Sequence, residues 1–553
     1  MCAELTKIAE LKAAQTMNNR NYTNLFHLIL FSCCMVLMSQ CKRPPDNNHG
    51  PDSSELHRPK LHFTPPAGWM NDPNGMVYYD GEYHLFYQHY PDSTVWGPMH
   101  WGHAVSRDMM AWEHLPIALY PDSLGYIFSG SAVVDWNNSS GLSENGKPAL
   151  LAMFTHHLME GEKAGRTDYQ VQSIAYSLDK GRTWTKHPAN PVIKNPGIKD
   201  WRDPKVIWHE PTKKWIVAIA AFDHLMIYSS PNLLDWTHES DFGQDAGTHA
   251  GVWECPDLFP LPVEQTNETK WVLIQNINPG GPFGGSGTMY FVGDFDGHTF
   301  ALDPTCRTQL QKDSVLWMDY GKDNYAGVTW SDVPASDGRK LFLGWMGNWQ
   351  YAQIVPTGSW RSAMTLPREL TLVRDEDGYR LCSKPAKEIS AYRLDTLQPE
   401  IIRIVDTVDV TYRSGIQGPL LEVELTLEIP EGEQPLAGIE LSNSRGEFYR
   451  IGYDASSTTY FSDRSRAGKT DFSPHFAARM QLAPRFSKDN TVKMHIIFDV
   501  ASAELFADDG RSVMTEIYFP NEDFTTVKLF SKNGSVKVPQ VVFYHLKKSI
   551  PSN

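Results

Sequence analysis

The sequence predicts an all-β chain: a five-bladed β-propeller followed by a C-terminal β-sandwich. Three observations carry this. Short alternating runs bounded by Gly, Asn, Asp and Pro fill the chain from about residue 60, and few stretches show a helical period. A hairpin pattern recurs on successive units: "VSRDMMAWEHL", "YSLDKGRTWTKH" and "YSSPNLLDWTHE" align on Ser106, Ser177 and Ser230, with Trp112, Trp184 and Trp236 following. The middle copy reads Ser-x-Asp-x-Gly-x-Thr-Trp, a turn pattern found in several propellers. A four-stranded blade takes about 40–60 residues, so the stretch ending near residue 375 accommodates five. Beyond "LCSKPAKEISAYRL" the runs alternate cleanly ("LLEVELTLEI", "VKMHIIFDVASAELFADDG", "SVKVPQVVFYHL"), as in a sandwich.

Taken in order, residues 1–41 form an expected export signal and 42–58 a polar linker. The propeller is expected over 59–378 and the sandwich over 379–553. "LFHLILFSCCMVLM", from Leu25 to Met38, is apolar but shorter than the roughly 20 residues of a membrane span, and matches a signal-peptide core. Cys41 ends the run before a Pro/Asp/Ser-rich stretch, which resembles a bacterial lipoprotein signal with Cys41 as the lipidated residue. Gln40 departs from the small residue usual there. Cys33 and an ordinary cleaved signal are the alternatives. The chain is therefore expected to be exported. Its expected place is the bacterial envelope, on the outer membrane or the periplasmic face, held only by a lipid anchor. An unanchored periplasmic or secreted protein is the alternative.

Within the first blade, "MVYYDGEYHLFYQ" reads as a hairpin about Asp80-Gly81, and "KVIWHEPTKKWIVAIAA" as another turning at Pro211 to Lys214. Asp72-Pro73 and Asn74-Gly75 read as back-to-back turn signatures that aim Asp72 into the channel.

A net charge of -15 argues against a nucleic-acid partner, whose phosphates need a basic surface. The 17 Trp, 23 Tyr and 25 Phe suit β cores and also sugar platforms, where C–H faces stack on rings. Beyond Cys41 only Cys255, Cys306 and Cys382 remain, which is no disulfide framework. No spacing suggests a metal, and His62, His100 and His103 read as hydrogen-bonding pocket or core residues. No cofactor is expected, and oligomeric state is left open.

Three acids stand in unusual company: Asp72 in "WMNDPNG", Asp203 in "DWRDPKV" and Glu254 in "GVWECPDLF". Singly, each has a plain reading: a turn cap, an ion pair with Arg202, a satisfied buried carboxyl. A carboxylate among core strands must be paired or hydrogen-bonded. The first strand of each propeller blade lines the channel, so acids from different blades can converge there. Glycosidic cleavage requires such convergence, with one carboxylate as nucleophile or base and another as acid.

In order and spacing these motifs, over about residues 60–550, resemble glycoside hydrolase family 32, the β-fructosidases. The resemblance implies Asp72 as nucleophile, Glu254 as acid/base and Asp203 as transition-state stabiliser, with Arg202 assisting. It implies retention of configuration, and hence Asp72 and Glu254 carboxyls about 5–5.5 Å apart. It also assigns Asn71, Gln88, Trp96, Phe128, Ser129 and Trp349 to a fructose pocket, while Trp101 and Trp345 read as core and Asp319 as structural. "NWQYAQIVPTGSWRSAMTLPREL" looks like the same stretch of bacterial exo-levanases and inulinases. The implied activity is release of fructose from levan or inulin, with some sucrose cleavage. An endo-levanase and a non-catalytic glycan-binding lipoprotein are the alternatives. An inverting arabinanase-type propeller would lack "WMNDPNG" and the Glu254-Cys255 pair.

Overall fold

A computed structural model of the chain describes residues 55–144 and 146–549. The expectations for the signal region, Cys41 and most of the polar linker lie outside these residues. The strands form seven sheets. Five are propeller blades whose inner strands are Gly68–Tyr79, Tyr126–Asp135, Trp201–His209, Val252–Pro262 and Tyr325–Thr329. Each inner strand packs against those of the neighbouring blades, and the fifth returns to the first, which closes the ring. Closure is reinforced by backbone bonds between Tyr78 N and Ser331 O (2.9 Å) and between Ser331 N and Met76 O (2.9 Å). The last hairpin of blade five, Arg368–Asp375 with Gly378–Pro385, carries the propeller past residue 378 to Pro385.

The blades are built by local turn chemistry. Asp80 (φ 51°) and Gly81 (φ 87°) both adopt the left-handed region of a two-residue hairpin. The recurrent Ser…Trp pattern is one hairpin made three times, between the third and fourth strands of blades one to three. Ser106, Ser177 and Ser230 donate to Asp108, Asp179 and Asn232 at 3.0, 2.8 and 3.2 Å. Trp112, Trp184 and Trp236 each donate their indole N–H to the carbonyl three residues back, on Met109, Gly181 and Leu233, at 2.9, 3.0 and 2.9 Å. Those three residues all have positive φ.

"NDPNG" corrects the reading as a turn. Gly68–Tyr79 is one continuous strand, and its pairing with Glu82–Tyr90 slips between Asn71 and Pro73 and again between Asn74 and Val77. The inner strand is next to the channel and needs few ladder bonds, so Pro73 and Gly75 (φ 51°) are tolerated as bulges rather than as a chain reversal.

The sandwich comprises two six-stranded sheets around a core that includes Leu425, Ile439, Tyr449, Phe498 and Phe543. It joins the propeller through buried ion pairs. His62 lies 2.8 Å from both Asp499 and Glu504, Arg368 joins Asp319 to Glu504, and Arg464 joins Asp323 to Glu516. Asp319 also accepts from Thr515 N at 3.0 Å, so it is a seam residue.

Candidate active site

The inner strands of all five blades depart from regular pairing at the same end of the channel. In blades one, two, four and five the slips fall at Asn71–Pro73, Ile127–Gly130, Glu254–Asp257 and Tyr325–Val328. In blade three the slip lies between Ala218 and Ala220, opposite Arg202 and Lys205. Asp203 (φ 65°), Cys255 (φ 44°) and Ala326 (φ 54°) take left-handed conformations there. A bulge breaks the strict alternation of a strand and re-aims neighbouring side chains. Pro204 and Pro256 follow Asp203 and Cys255 as Pro73 follows Asp72, each on an inner strand where a missing N–H is cheap.

These bulges bring Asp72, Asp203 and Glu254 together. Asp72 Oδ2 accepts from Ser129 Oγ at 2.6 Å and Oδ1 from Asn71 Nδ2 at 2.9 Å. Asn71 is itself fixed by the Trp69 indole N–H at 2.7 Å. Asp203 Oδ2 accepts from Cys255 N at 3.0 Å, and its own N–H donates to Thr155 Oγ1 at 3.0 Å. The Cys255 thiol stands 3.6 Å from Asp72 Oδ2 and 3.5 Å from Asp203 Oδ2. Glu254 is held by Arg202 Nη2 at 2.8 Å on one oxygen and by the Tyr325 hydroxyl on the other. Arg202 also donates to Asp200 at 2.7 Å, and lies 3.9 Å from Asp203.

Electrostatics follow from burial and from neighbouring carboxylates, of which Asp203 and Glu254 share the Arg202 guanidinium. Burial pushes Asp72 above its ordinary value, and Glu254 adds to this, against the lowering bonds of Ser129 and Asn71. Burial raises Asp203 to about 7; Arg202 opposes the rise while Glu254 and Asp72 add to it. The Cys255 thiol is driven well above its usual value by burial and by the same carboxylates, so it stays a protonated donor.

The remaining sequence candidates divide. Trp96 and Phe128 are half-buried and meet edge to face at 6.1 Å, with Phe128 stacked on His157 at 4.1 Å. Trp349 stacks on Trp69 at 5.7 Å. Gln88 is buried, sits opposite Asn71 in the strand pair and gives its amide to Ile127 O at 3.0 Å, which makes it a support of the site's backbone. Trp101 and Trp345 are fully buried core residues. His103 is buried against Phe86 and His84, and His100 bonds Pro98 O. Tyr325, Asp200 and Thr155 were not legible as site residues. "DNYAG" carries no motif by itself, and Tyr325 gains meaning only when the fifth inner strand closes beside the fourth.

Comparison with known proteins places this geometry. The Glycosyl hydrolases family 32 N-terminal domain model matches residues 62–385, and the family 32 C-terminal model matches residues 388–545. A levanase of Bacillus subtilis is 48% identical over 495 residues, covering 89% of this chain and 71% of its own. An extracellular exo-inulinase of Aspergillus awamori is 38% identical over 514 residues, covering 89% and 94%. The crystal structure of exo-inulinase from Aspergillus awamori superposes with a TM-score of 0.80 at 35% identity, covering 89% of this chain and 99% of its own. The structure of β-fructofuranosidase from Schwanniomyces occidentalis complexed with fructosyl-erythritol superposes at 0.80 and 31% identity, covering 90% and 99%. Two family domains spanning nearly all of the described residues, with the carboxylate cluster inside the first, establish that the chain belongs to glycoside hydrolase family 32.

Proposed function

We propose that the protein releases fructose from the ends of β-fructan chains, levan or inulin, and also cleaves sucrose, with retention at the anomeric carbon. The observation that carries this is the convergence of Asp72, Asp203 and Glu254 from three blades on one channel mouth, linked through Cys255 and Arg202. Asp72 attacks the anomeric carbon of the terminal fructosyl unit as the bond to the leaving oxygen breaks. Glu254 delivers its proton to that oxygen, so the leaving chain departs neutral. Glu254 then takes a proton from water, whose oxygen displaces Asp72 and frees fructose. Ser129 and Asn71 hold the Asp72 carboxylate in one orientation for both steps. Asp203 holds ring hydroxyls, and Trp96, Phe128 and Trp349 supply apolar walls. The two reacting carboxyls are proposed to lie about 5–5.5 Å apart.

Exo action is supported by the intact "NDPNG" stretch and by the exo-inulinase relatives. Product analysis on levan, inulin and sucrose tests it. Fructose alone at early times is the expected result, and early oligosaccharides would instead mark an endo-levanase. Export is supported by the apolar Leu25–Met38 run and by the extracellular relative. Lipidation at Cys41 is tested by metabolic labelling with a radioactive fatty acid, where loss of label in Cys41→Ala is expected.

A further inference from the structure

The ring of inner strands has two mouths. The carboxylates occupy the one where the strands begin. At the other, a few residues farther along the same strands, lies a cavity of about 510 Å³, within the ~300–1,000 Å³ of small-molecule sites. Lys205, Asp257, Lys340, Asp332, Trp208 and Trp330 line it.

Two charged groups define its polar character. Asp257 is fully buried. Its Oδ2 accepts from Thr329 N at 2.5 Å and lies 3.3 Å from Lys205 Nζ. Its Oδ1, also buried, has no hydrogen-bond donor among the described residues. The Lys340 ammonium lies 5.2 Å from the Phe259 ring centre, with no carboxylate or other acceptor in reach among the described residues. Lys340 is only half-buried, so its ammonium is open to donate to a ligand in the cavity, whereas Asp257 Oδ1 is sealed from solvent.

The charge balance selects what fills them. Lys205 is matched by Asp257, and Arg339 by Asp337 and Glu388. An anion would meet the Asp257 and Asp332 carboxyls, and a cation would meet Lys205 and Lys340. A neutral hydroxyl meets neither conflict and accepts from Lys340. The walls add indole faces. Trp208 is fixed by Glu210 at 2.6 Å. On the rim, Trp136 is 60% exposed, yet its ring is held by an N–H bond of 2.8 Å to Asp332 and by Tyr79 at 5.8 Å. A large exposed ring held in one orientation is a platform for sugar C–H faces.

We infer that the far mouth of the channel is a second, non-catalytic saccharide site that binds β-fructan chains and keeps the enzyme on its polymer. The identity of the sugar rests on the fructan reading above; the site itself rests on the cavity, the open Lys340 donor and the held indole rings around it.

The test is electrophoresis of the full chain through native gels containing levan or inulin, with Trp136→Ala, Lys340→Met and the catalytic variant Asp72→Asn. Retardation of wild type and of Asp72→Asn is expected, with apparent affinity lost about five-fold or more in Trp136→Ala and Lys340→Met. kcat/KM on sucrose, whose cleavage takes place at the other mouth, should be unchanged in Trp136→Ala. Trp136 is largely exposed, so that variant keeps the fold even if Lys340→Met does not. No retardation of wild type, or retardation unchanged in Trp136→Ala, overturns the proposal and leaves a channel end that holds solvent only. If wild type fails to hydrolyse fructan yet another polysaccharide retards it through Trp136, the fructan reading falls and the site stands.

Discussion

Asp72, Asp203 and Glu254 differ less in chemistry than in what surrounds them. Asp72 has a hydroxyl, an amide and the Cys255 thiol, Asp203 a backbone N–H and the same thiol, and Glu254 a guanidinium and a phenol. Removing the Glu254 carboxyl by Glu254→Ala should lower kcat on sucrose by about 10²–10⁴-fold with the thermal midpoint nearly unchanged. A fall of less than ten-fold would refute its role. The pH profile follows from burial. As the proposed nucleophile Asp72 must be ionised, and it and Asp203 both sit above the ordinary aspartate value, Asp203 at about 7. Their charged forms are therefore lost as pH falls, earlier than for a solvated aspartate. The acid limb of kcat/KM should lie clearly above pH 4, as the titration of the coupled set rather than of one residue. An acid limb at or below the ordinary aspartate value would contradict this.

At the scale of elements, two devices build the molecule. The Ser…Trp hairpin is local: its hydroxyl, its left-handed residue and its indole bond fall within a few residues, so the pattern was legible as a blade hairpin. In Ser177→Ala the bonds to Asp179 and from Gly181 N are lost, at 2.8 and 2.9 Å. A loss of about 1 kcal/mol in denaturant unfolding is expected, with kcat untouched. A kcat change of several-fold would mean that the hairpin reaches the site. The bulge is not local. Asp-Pro-Asn-Gly fits a turn and a bulged strand equally by propensity, and the partner strand Glu82–Tyr90 decides between them by pairing on both sides of the irregularity. The same four residues thus misled as a turn while singling out the strand that carries Asp72 to the channel mouth.

At the scale of the whole molecule, the seam between propeller and sandwich sets buried ion pairs among apolar side chains. Arg368 is fully buried between Asp319 and Glu504. Arg368→Met should cost about 3–5 kcal/mol, because buried Asp319 loses its counter-charge and Glu504 keeps only that of His62; a cost below about 1 kcal/mol in chemical denaturation would refute this. His62 gives a pH signature. Burial opposes its charge, but Asp499 and Glu504 hold it up at about 9. The folded value exceeds the unfolded one of about 6.5. This contribution is therefore complete below pH 6.5 and is lost as pH rises toward 9, some 3 kcal/mol in order of magnitude. The stability gap between wild type and His62→Gln should accordingly narrow between pH 6 and pH 9.5. A constant gap would show that His62 is neutral in the fold.

The sequence by itself determined the fold class and the two-domain order, and it singled out the three acids that the fold brings together. Hairpin chemistry, strand alternation and the motifs "WMNDPNG", "RDP" and "EC" are all local patterns, each written within about ten residues. Only the tertiary structure decided that these motifs are bulges on five inner strands, that Tyr325 and Cys255 bridge between acids, and that His62 and Asp319 belong to the seam. It alone set Lys340 beside Asp257 at the far mouth. Each of these depends on which strands become neighbours when the ring closes, and no residue carries that information until blade five meets blade one.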